Sequence, residues 1–290
     1  MSYLHGYSKD EQKRLLDQAR FLESLVFEKV DFLRCRHILE IGCGVGAQSK
    51  ILLSRYPQLQ LTSVDLSDAQ IEAAKATLSS ELKEGRVHLQ QGSVYELPFH
   101  EGQFDGLFIC WFLEHVPDSL KALKELHRCL SAGARVHLAE VYNTPLSCFP
   151  HSVIIEEYWA KFNRLQQTLG GDPYIGIRLR RLLHDAGFQP ITAQIHTICL
   201  DGVLGANAIP ELKGNQFERF SALELKNQFL DYWVETLLSG LGQLFEHQIQ
   251  FSFGRTHQEV EAAVRGEFTK LKNDSGSIFH FSYATAAALK

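Results

Sequence analysis

Four titratable residues end or follow short apolar segments of the sequence: Glu40, Asp65, His115 and Glu140. If these segments are parallel strands, their carboxyl ends meet at one edge of a sheet. A carboxylate at such an edge accepts hydrogen bonds from ligand hydroxyls, and a histidine takes up a proton near neutral pH. The residue types therefore allow the binding of a hydroxylated ligand and proton transfer at the same edge.

A glycine-rich loop joins the first apolar segment to a helical pattern. The apolar run at 38–41 is followed by Gly42, Gly44 and Gly46, and the helical pattern then covers 49–56. Glycine permits a tight turn and lets a ligand approach the backbone, and the first turn of the helix offers unpaired N–H groups. This order predicts a nucleotide-type pocket at the carboxyl end of a buried parallel strand.

Two acids indicate which ligand the pocket takes. Glu40 comes just before the loop, where a carboxylate repels a pyrophosphate but favours the ammonium and sulfonium of S-adenosylmethionine. Asp65 ends the second predicted strand roughly 20 residues beyond the loop, the offset at which an acid accepts hydrogen bonds from ribose hydroxyls. Asp65 could instead contribute to a helix N-terminus, because a helical pattern follows it.

Three motifs carry a family resemblance. The run Leu-Glu-Ile-Gly-Cys-Gly-Val-Gly at 39–46 closely resembles the first motif of class I S-adenosylmethionine-dependent methyltransferases, and Asp-Leu-Ser at 65–67 resembles their second motif. The run Glu-His-Val-Pro-Asp at 114–118 resembles the segment after strand four in small-molecule methyltransferases of the ubiquinone-biosynthesis type. The resemblance covers residues 36–141. Two alternatives remain open: a nicotinamide-dependent oxidoreductase on a related sheet, and a non-enzymatic protein that binds S-adenosylmethionine.

The resemblance implies S-adenosyl-L-methionine as cofactor and a binding site at the glycine loop and the ends of strands two to four. Gly92-Ser93 departs from the family, because many relatives have Gly-Asp there for the adenine amino group. The implied cofactor-binding residues are Glu40, Gly42, Cys43, Gly44, Gln48, Asp65, Leu66, Gln70, Gly92, Ser93, Cys110, Trp111 and His115.

Methyl transfer from a sulfonium is an in-line displacement that depends mainly on positioning of the two partners, so a catalytic triad is not required. A general base is needed only if the acceptor must lose a proton. His115 is the first candidate, because it follows strand four and histidine is the residue type that exchanges a proton near neutral pH. Glu140 and Tyr7 are further candidates. The alternative is that His115 is a structural imidazole bonded to the backbone beside the ligand.

The alternation of apolar strands and helical patterns predicts an α/β fold with a doubly wound, seven-stranded, mainly parallel, Rossmann-like sheet. Strands five, six and seven are expected at 136–141, 188–200 and 277–284, and the last is antiparallel in the family that the chain resembles. Helical cap insertions are expected after strand five and between strands six and seven. Helices in the second insertion are predicted at 217–229, 232–244 and 258–272.

The expected domain organisation places two lids on one core. Its segments are an N-terminal helical lid at 1–32, core at 33–143, a cap insertion at 144–172, core with strand six at 173–203, a helical lid insertion at 204–274 and strand seven at 275–290. The insertions are rich in aromatic residues, and we expect some of them to face a small apolar or aromatic acceptor that is methylated on N or O. The same helices could form a homodimer interface.

Composition excludes several other classes of protein. The chain has 290 residues, 45% of them apolar, and a net charge of −5 without a long basic run, which argues against a nucleic-acid partner. Its six cysteines form no C-x-x-C pair, and its thirteen histidines are dispersed, so neither a disulfide framework nor a metal site is expected. No membrane span or secretory signal is apparent, which predicts a cytoplasmic enzyme.

Overall fold

The computed structural model describes residue 6, residues 8–201 and residues 222–290. Its centre is a seven-stranded sheet. In chain order the strands are β1 (His37–Ile41), β2 (Gln60–Asp65), β3 (Val87–Gln91), β4 (Phe104–Cys110), β5 (Leu130–Phe149), β6 (Ile191–Asp201) and β7 (Ile278–Leu289). Their order across the sheet is β3-β2-β1-β4-β5-β7-β6, and only β7 runs antiparallel to its neighbours. The predicted doubly wound, mainly parallel α/β fold is confirmed.

Helices cover both faces of this sheet. They are α1 (Lys9–Phe27), α2 (Ala47–Arg55), α3 (Asp68–Thr77), α4 (Ser79–Lys83), α5 (Ser119–Cys129), α6 (Val153–Thr168), α7 (Leu179–Asp185), α8 (Ala222–Ser239), α9 (Leu241–Glu246) and α10 (His257–Asn273). Strand alternation divides the core in two. On β7, Phe279 and Phe281 belong to the apolar cluster with α1, α2, α6, α8 and α10, whereas Ala286 and Ala288 belong to the cluster with α5 and α7.

Strands five and seven are longer than the sequence pattern predicts. β5 continues past its apolar run and past the expected core boundary at 143/144, with a bulge between Tyr142 and Ser147. β7 continues through an alanine-rich segment to Leu289. The reason is tertiary: β7 pairs with β5 on one side and with β6 on the other, so backbone hydrogen bonds extend strands where local propensity is weak.

The second insertion is helical, but its helices are divided differently from the prediction. A single helix, α8, covers the gap expected between 229 and 232, where no glycine or proline interrupts the chain. It ends before Gly240, where a Cβ would lie 2.4 Å from Cε2 of Phe162, so close helix packing requires glycine. The start of the helix predicted at 217–229 lies outside the described residues.

The N-terminal helix α1 lies against both the glycine loop and the insertion. Ser8 caps α1 by accepting a hydrogen bond from the N–H of Glu11 at 3.1 Å. A Cβ on Gly44 would lie 3.8 Å from Cδ1 of Leu15, and Nη1 of Arg14 lies 3.5 Å from Oγ1 of Thr236 on α8. Segments from the two ends of the chain therefore meet at the carboxyl edge of the parallel strands.

Candidate active site

The glycine loop is bound to the neighbouring strand through its backbone. The N–H groups of Gly42 and Cys43 both donate to the carbonyl of Val64, at 2.8 and 3.1 Å. Gly42 has a φ of +72°, and a Cβ there would lie 2.4 Å from Cδ2 of Phe112. Because a side chain is excluded by both backbone conformation and space, glycine is required at this position.

The carboxylate of Asp65 completes the turn. Its Oδ2 accepts the N–H of Gly44 and its Oδ1 accepts the N–H of Ser67, both at 2.9 Å. The helix cap of α3 is Ser67, which accepts the N–H of Gln70, so Asp65 is not that cap. Burial raises the pKa of Asp65, and the backbone hydrogen bonds oppose this rise. A carboxylate has further lone pairs, so Asp65 can still accept ligand hydroxyls.

A cavity of about 230 Å³ opens over the loop. It brings together most of the residues that the sequence implies for the cofactor. Those in its lining are Gly42, Cys43, Gly44, Gln48, Asp65, Leu66, Gln70, Cys110, Trp111 and His115. Their roles stay predictions, but their placement at one edge of the sheet is what the loop and strand pattern indicated.

Glu40 lies beneath the loop rather than in the cavity lining. Its Oε2 accepts hydrogen bonds from the hydroxyls of Ser49 and Ser63, at 2.5 and 2.6 Å, and its side chain is fully buried. Burial raises the pKa of Glu40 to about 7. The sequence position of Glu40 suggested direct attraction to a sulfonium or ammonium, but the carboxyl does not face the cavity. It instead links β1 to α2 and β2 through hydrogen bonds.

Glu140 and the pair Gly92-Ser93 also lie outside the lining. The Oε1 of Glu140 accepts the N–H groups of Phe112 and Leu113, at 3.1 and 2.7 Å, so this carboxyl supports the chain after β4 from below. The N–H of Gly92 donates to the carbonyl of Asp65, and the hydroxyl of Ser93 accepts the N–H of Tyr95 in a local turn. The direction of side chains on β5 places Glu140 outside the lining, and the turn after β3 places Gly92 and Ser93 outside it. The third base candidate, Tyr7, lies outside the described residues.

His115 lies in the lining at the end of a short 3-10 helix, Leu113–His115. Trp111 precedes this helix with a φ of +49°, an unusual conformation for an aromatic residue, which turns the chain at the end of β4. The Nε2 of His115 lies 3.6 Å from Oε1 of Glu114, whose Oε2 accepts a hydrogen bond from Nε2 of Gln166 at 2.7 Å. His115 is therefore next to a buried carboxylate.

Sequence reasoning missed the residues that complete the cavity from other elements. Arg14 and Gln18 stand one turn apart on α1, and this i, i+4 polar pair on a helix with apolar positions was a usable signal. Trp159, Phe162, Tyr232 and Trp233 belong to the aromatic-rich insertions, some of whose residues were expected at the acceptor. The other lining residues had no local signal, because they come from the strands and from α8. They are Asn143, Thr236, Phe281, Ser282 and Tyr283.

The residues present fit S-adenosylmethionine. The N-terminal end of α2 faces the cavity through Ala47 and Gln48, and Oε1 of Gln48 is buried without a hydrogen-bond partner among the described residues. Such an oxygen accepts an N–H from a ligand ammonium. Asp65 offers acceptors for ribose hydroxyls, and Leu66 offers apolar surface for a base.

Other kinds of site find no support in the described part of the chain. Within residues 8–201 and 222–290, no three His, Cys, Asp or Glu side chains come together as a possible metal site. All six cysteines lie in the described part of the chain, and none of them forms a disulfide. Of the helices that the structure describes, none combines the length and apolarity needed to cross a bilayer.

Comparison with known proteins agrees with this geometry. Residues 39–138 match the family model described as a methyltransferase domain. An O-methyltransferase of Aspergillus sclerotiorum, resE, is 31% identical over 154 residues, which cover 53% of this chain and 55% of that relative. A demethylmenaquinone methyltransferase of Desulfitobacterium hafniense is 26% identical over 153 residues, covering 52% and 58%. The match thus spans little more than half the length of these curated relatives.

Solved structures show the same fold. Phosphoethanolamine N-methyltransferase 2 of Haemonchus contortus, in complex with phosphomonomethylethanolamine and S-adenosylhomocysteine, has a TM-score of 0.58 at 16% identity, covering 100% of this chain and 60% of that one. The [4+2]-cyclase SpnF has a TM-score of 0.53 at 18% identity, covering 96% and 80%. At such identities the likeness concerns the fold alone.

The fold, the glycine loop and the matched family model define a class I, Rossmann-like methyltransferase domain. Residues 39–138 form a methyltransferase domain, and the described chain has the fold of class I methyltransferases. The match to a methyltransferase domain favours S-adenosylmethionine over the nicotinamide cofactor that the sequence left open.

Proposed function

We propose that the protein transfers a methyl group from S-adenosylmethionine to a hydroxyl oxygen of a small, apolar or aromatic metabolite. The observation that carries this proposal is that one cavity is lined by the glycine loop, by Asp65, by His115 and by an aromatic wall. This wall consists of Trp159, Phe162, Trp233 and Phe281. Similarity to an O-methyltransferase favours oxygen over nitrogen.

The aromatic wall supports an apolar acceptor. The rings of Trp159 and Phe162 stack at 5.4 Å, Trp159 meets Trp233 edge-on at 6.0 Å, and Trp233 lies 4.6 Å from Phe281. Such surfaces bind planar apolar groups, and a small number of polar side chains then fix their orientation. Asn143, beside this wall, is positioned by donating its Nδ2 to Oδ1 of Asn163 at 2.8 Å.

The protein's own residues bind the methyl donor, orient the acceptor and remove the proton of the acceptor hydroxyl. When bound, S-adenosylmethionine supplies an activated methyl group that passes to the acceptor oxygen, while the electrons of the broken carbon–sulfur bond remain on sulfur. Asp65, Gln48 and the loop hold the donor, and the aromatic wall holds the acceptor ring. His115 accepts the hydroxyl proton and returns it to solvent. Orientation of the two partners supplies most of the acceleration.

The test uses S-adenosylmethionine labelled in its methyl group. Matched acceptors with the same aromatic ring and either a hydroxyl or an amino group, such as 1-naphthol and 1-aminonaphthalene, separate O-transfer from N-transfer. We expect label on the hydroxyl compounds and its loss in Asp65→Ala, which weakens donor binding. Label on the amino compounds alone would contradict O-transfer.

Calorimetry on the same preparations separates the remaining alternatives. Binding of S-adenosylhomocysteine without transfer to any acceptor in a broad panel would indicate a non-enzymatic binding protein. Binding of NAD in place of S-adenosylhomocysteine would indicate an oxidoreductase.

A further inference from the structure

We propose that Glu114 is a positioning residue for His115, and that Gln166 on the cap helix α6 holds Glu114 in place. Resting on the proposed function, this inference assigns roles to Glu114, for which the motif at 114–118 gave no role, and to Gln166, which lies in none of the motifs. It starts from a chain of three side chains that leads from the cavity into the interior.

The chain begins at the imidazole of His115, which is partly exposed to the cavity, and ends at a buried amide. Oε1 of Glu114 lies 3.6 Å from Nε2 of His115, and Oε2 of the same carboxylate accepts Nε2 of Gln166 at 2.7 Å. Gln166 is 3% exposed and Glu114 is 8% exposed. A charged carboxylate at such depth requires partners, and the structure provides the amide on one side and the imidazole on the other.

Backbone packing fixes the same relationship. The carbonyl of Glu114 accepts the N–H of Asp172 at 2.8 Å, and the N–H of Gly171 donates to the carbonyl of Gln166 at 2.9 Å. A Cβ on Gly171 would lie 2.6 Å from the Glu114 carbonyl oxygen and 3.0 Å from Cγ of Gln166. The turn after α6 is therefore pressed against the 3-10 helix, and a larger residue at 171 would separate Gln166 from Glu114.

A second carboxyl supports the other end of the 3-10 helix. Glu140 receives the N–H groups of Phe112 and Leu113 on Oε1, while its Oε2 is buried without a hydrogen-bond partner among the described residues. Burial and the nearby charge of Glu114 raise the pKa of Glu140 to about 8. Burial therefore favours the protonated form of Glu140 at neutral pH, and of the two glutamates at this 3-10 helix it is Glu114 that lies beside His115.

This arrangement selects a tautomer of the imidazole. A carboxylate facing Nε2 favours the proton on that nitrogen, which leaves the lone pair on Nδ1. Proton acceptance from an acceptor hydroxyl then takes place at Nδ1, and the imidazolium that results is stabilised by Glu114. The carboxylate itself does not take up the proton, as in other base–carboxylate pairs.

The test is nuclear magnetic resonance of full-length protein labelled with ¹⁵N-histidine, with S-adenosylhomocysteine bound. Long-range proton–nitrogen correlation reports the tautomer of each ring, and His115→Gln assigns the signals. We expect His115 to carry its proton on Nε2 in the native protein. In Glu114→Gln, and less strongly in Gln166→Met, the ring nitrogen shifts of His115 should move and the Nε2–H population should fall.

Glu156→Gln is the matched control, because it removes the carboxylate of an exposed histidine pair in which Nε2 of His151 lies 2.9 Å from Oε2 of Glu156. Only His151 should respond there. A native His115 protonated on Nδ1, or His115 signals that stay unchanged in both Glu114→Gln and Gln166→Met, would overturn the inference. Calorimetric binding of S-adenosylhomocysteine is measured in parallel. If the native protein does not bind S-adenosylhomocysteine, the proposed function is refuted. If it binds but the His115 signals stay unchanged in the variants, only the role of Glu114 is refuted.

Discussion

The carboxylate of Asp65 accepts a hydrogen bond from the backbone N–H of Gly44 at 2.9 Å, so the acid that ends β2 holds the glycine loop that follows β1. Its other oxygen accepts the N–H of Ser67 at the start of α3. One side chain thus links the two motifs by which the sequence resembles the methyltransferases. The same carboxylate lines the cavity, so loop geometry and ligand binding depend on one residue.

Replacement of this carboxylate should weaken donor binding. In Asp65→Asn, one of the two backbone hydrogen bonds is lost and the charge that receives ribose hydroxyls is removed. We expect the Kd for S-adenosylhomocysteine to rise about tenfold to a hundredfold, the range for hydrogen bonds to a charged group. Calorimetry measures this, with exposed Asp68→Asn as the control on α3. Equal affinities in the two variants would exclude Asp65 from the binding site.

Loss of the candidate base should affect turnover more than binding. His115→Ala removes the imidazole from the cavity, and kcat should fall by about 10²–10⁴-fold, the contribution of a general base. Affinity for S-adenosylhomocysteine should change little. Exposed His151→Ala serves as the control. Unchanged turnover at saturating acceptor would leave His115 with a purely structural role.

Two glycines with the same backbone conformation separate strain from overlap. Gly85 has a φ of +68° and no atom within 4 Å of a Cβ, whereas Gly42 has a φ of +72° and Phe112 at 2.4 Å. Gly85→Ala should lower the free energy of unfolding by about 1–2 kcal/mol through backbone strain alone. Gly42→Ala should lower the free energy of unfolding by about 1–3 kcal/mol more than this, because the new Cβ overlaps with Phe112. Urea unfolding measures both losses, and equal values would show that Phe112 moves aside without cost.

The buried carboxyl of Glu140 should make stability depend on pH. Its pKa rises from 4.5 to about 8 on folding, because burial disfavours the charged form. Between these values the folded protein holds more protons than the unfolded chain, so Glu140 lowers the free energy of unfolding by about 1.4 kcal/mol for each unit of rising pH. Its stabilising contribution is complete below the unfolded pKa and is lost as pH rises to about 8.

Glu140→Gln, which resembles the protonated carboxyl, tests this dependence. Urea unfolding is measured at several values between pH 5 and pH 8. The free energy of unfolding should fall less steeply with rising pH in the variant than in the native protein. Exposed Glu72→Gln should leave the native slope unchanged. Parallel curves for Glu140→Gln and native protein would mean that Glu140 is already ionised in the folded state.

Part of this architecture was predictable because it depends on local chemistry. A buried apolar run, closely spaced glycines and a helical pattern in this order predict a strand, a tight turn and a helix. The loop at 42–46 could therefore be recognised from the sequence. Asp65 could be placed because parallel neighbouring strands end at the same edge. The roles assigned to these residues remain for experiment.

The direction of side chains from the sheet was decided by the tertiary structure. Glu40 has the sequence position of a cofactor contact, yet strand alternation directs it into the interior between Ser49 and Ser63. Glu140 likewise ends beneath the 3-10 helix and supports the residues before His115. A shift of one position along a strand reverses the face of the sheet, and this register is set by packing with other elements.

The sequence by itself determined the alternating α/β core, the glycine loop and the acid that binds it, because each depends on residues that are close along the chain. The far wall of the cavity was decided only by tertiary structure. Arg14 on α1 meets Thr236 on α8 across 222 positions of the chain, and Trp233 meets Phe281 of β7. No local pattern encodes such meetings, since they arise from the antiparallel pairing of β7 with β5 and the packing of both insertions over the sheet edge.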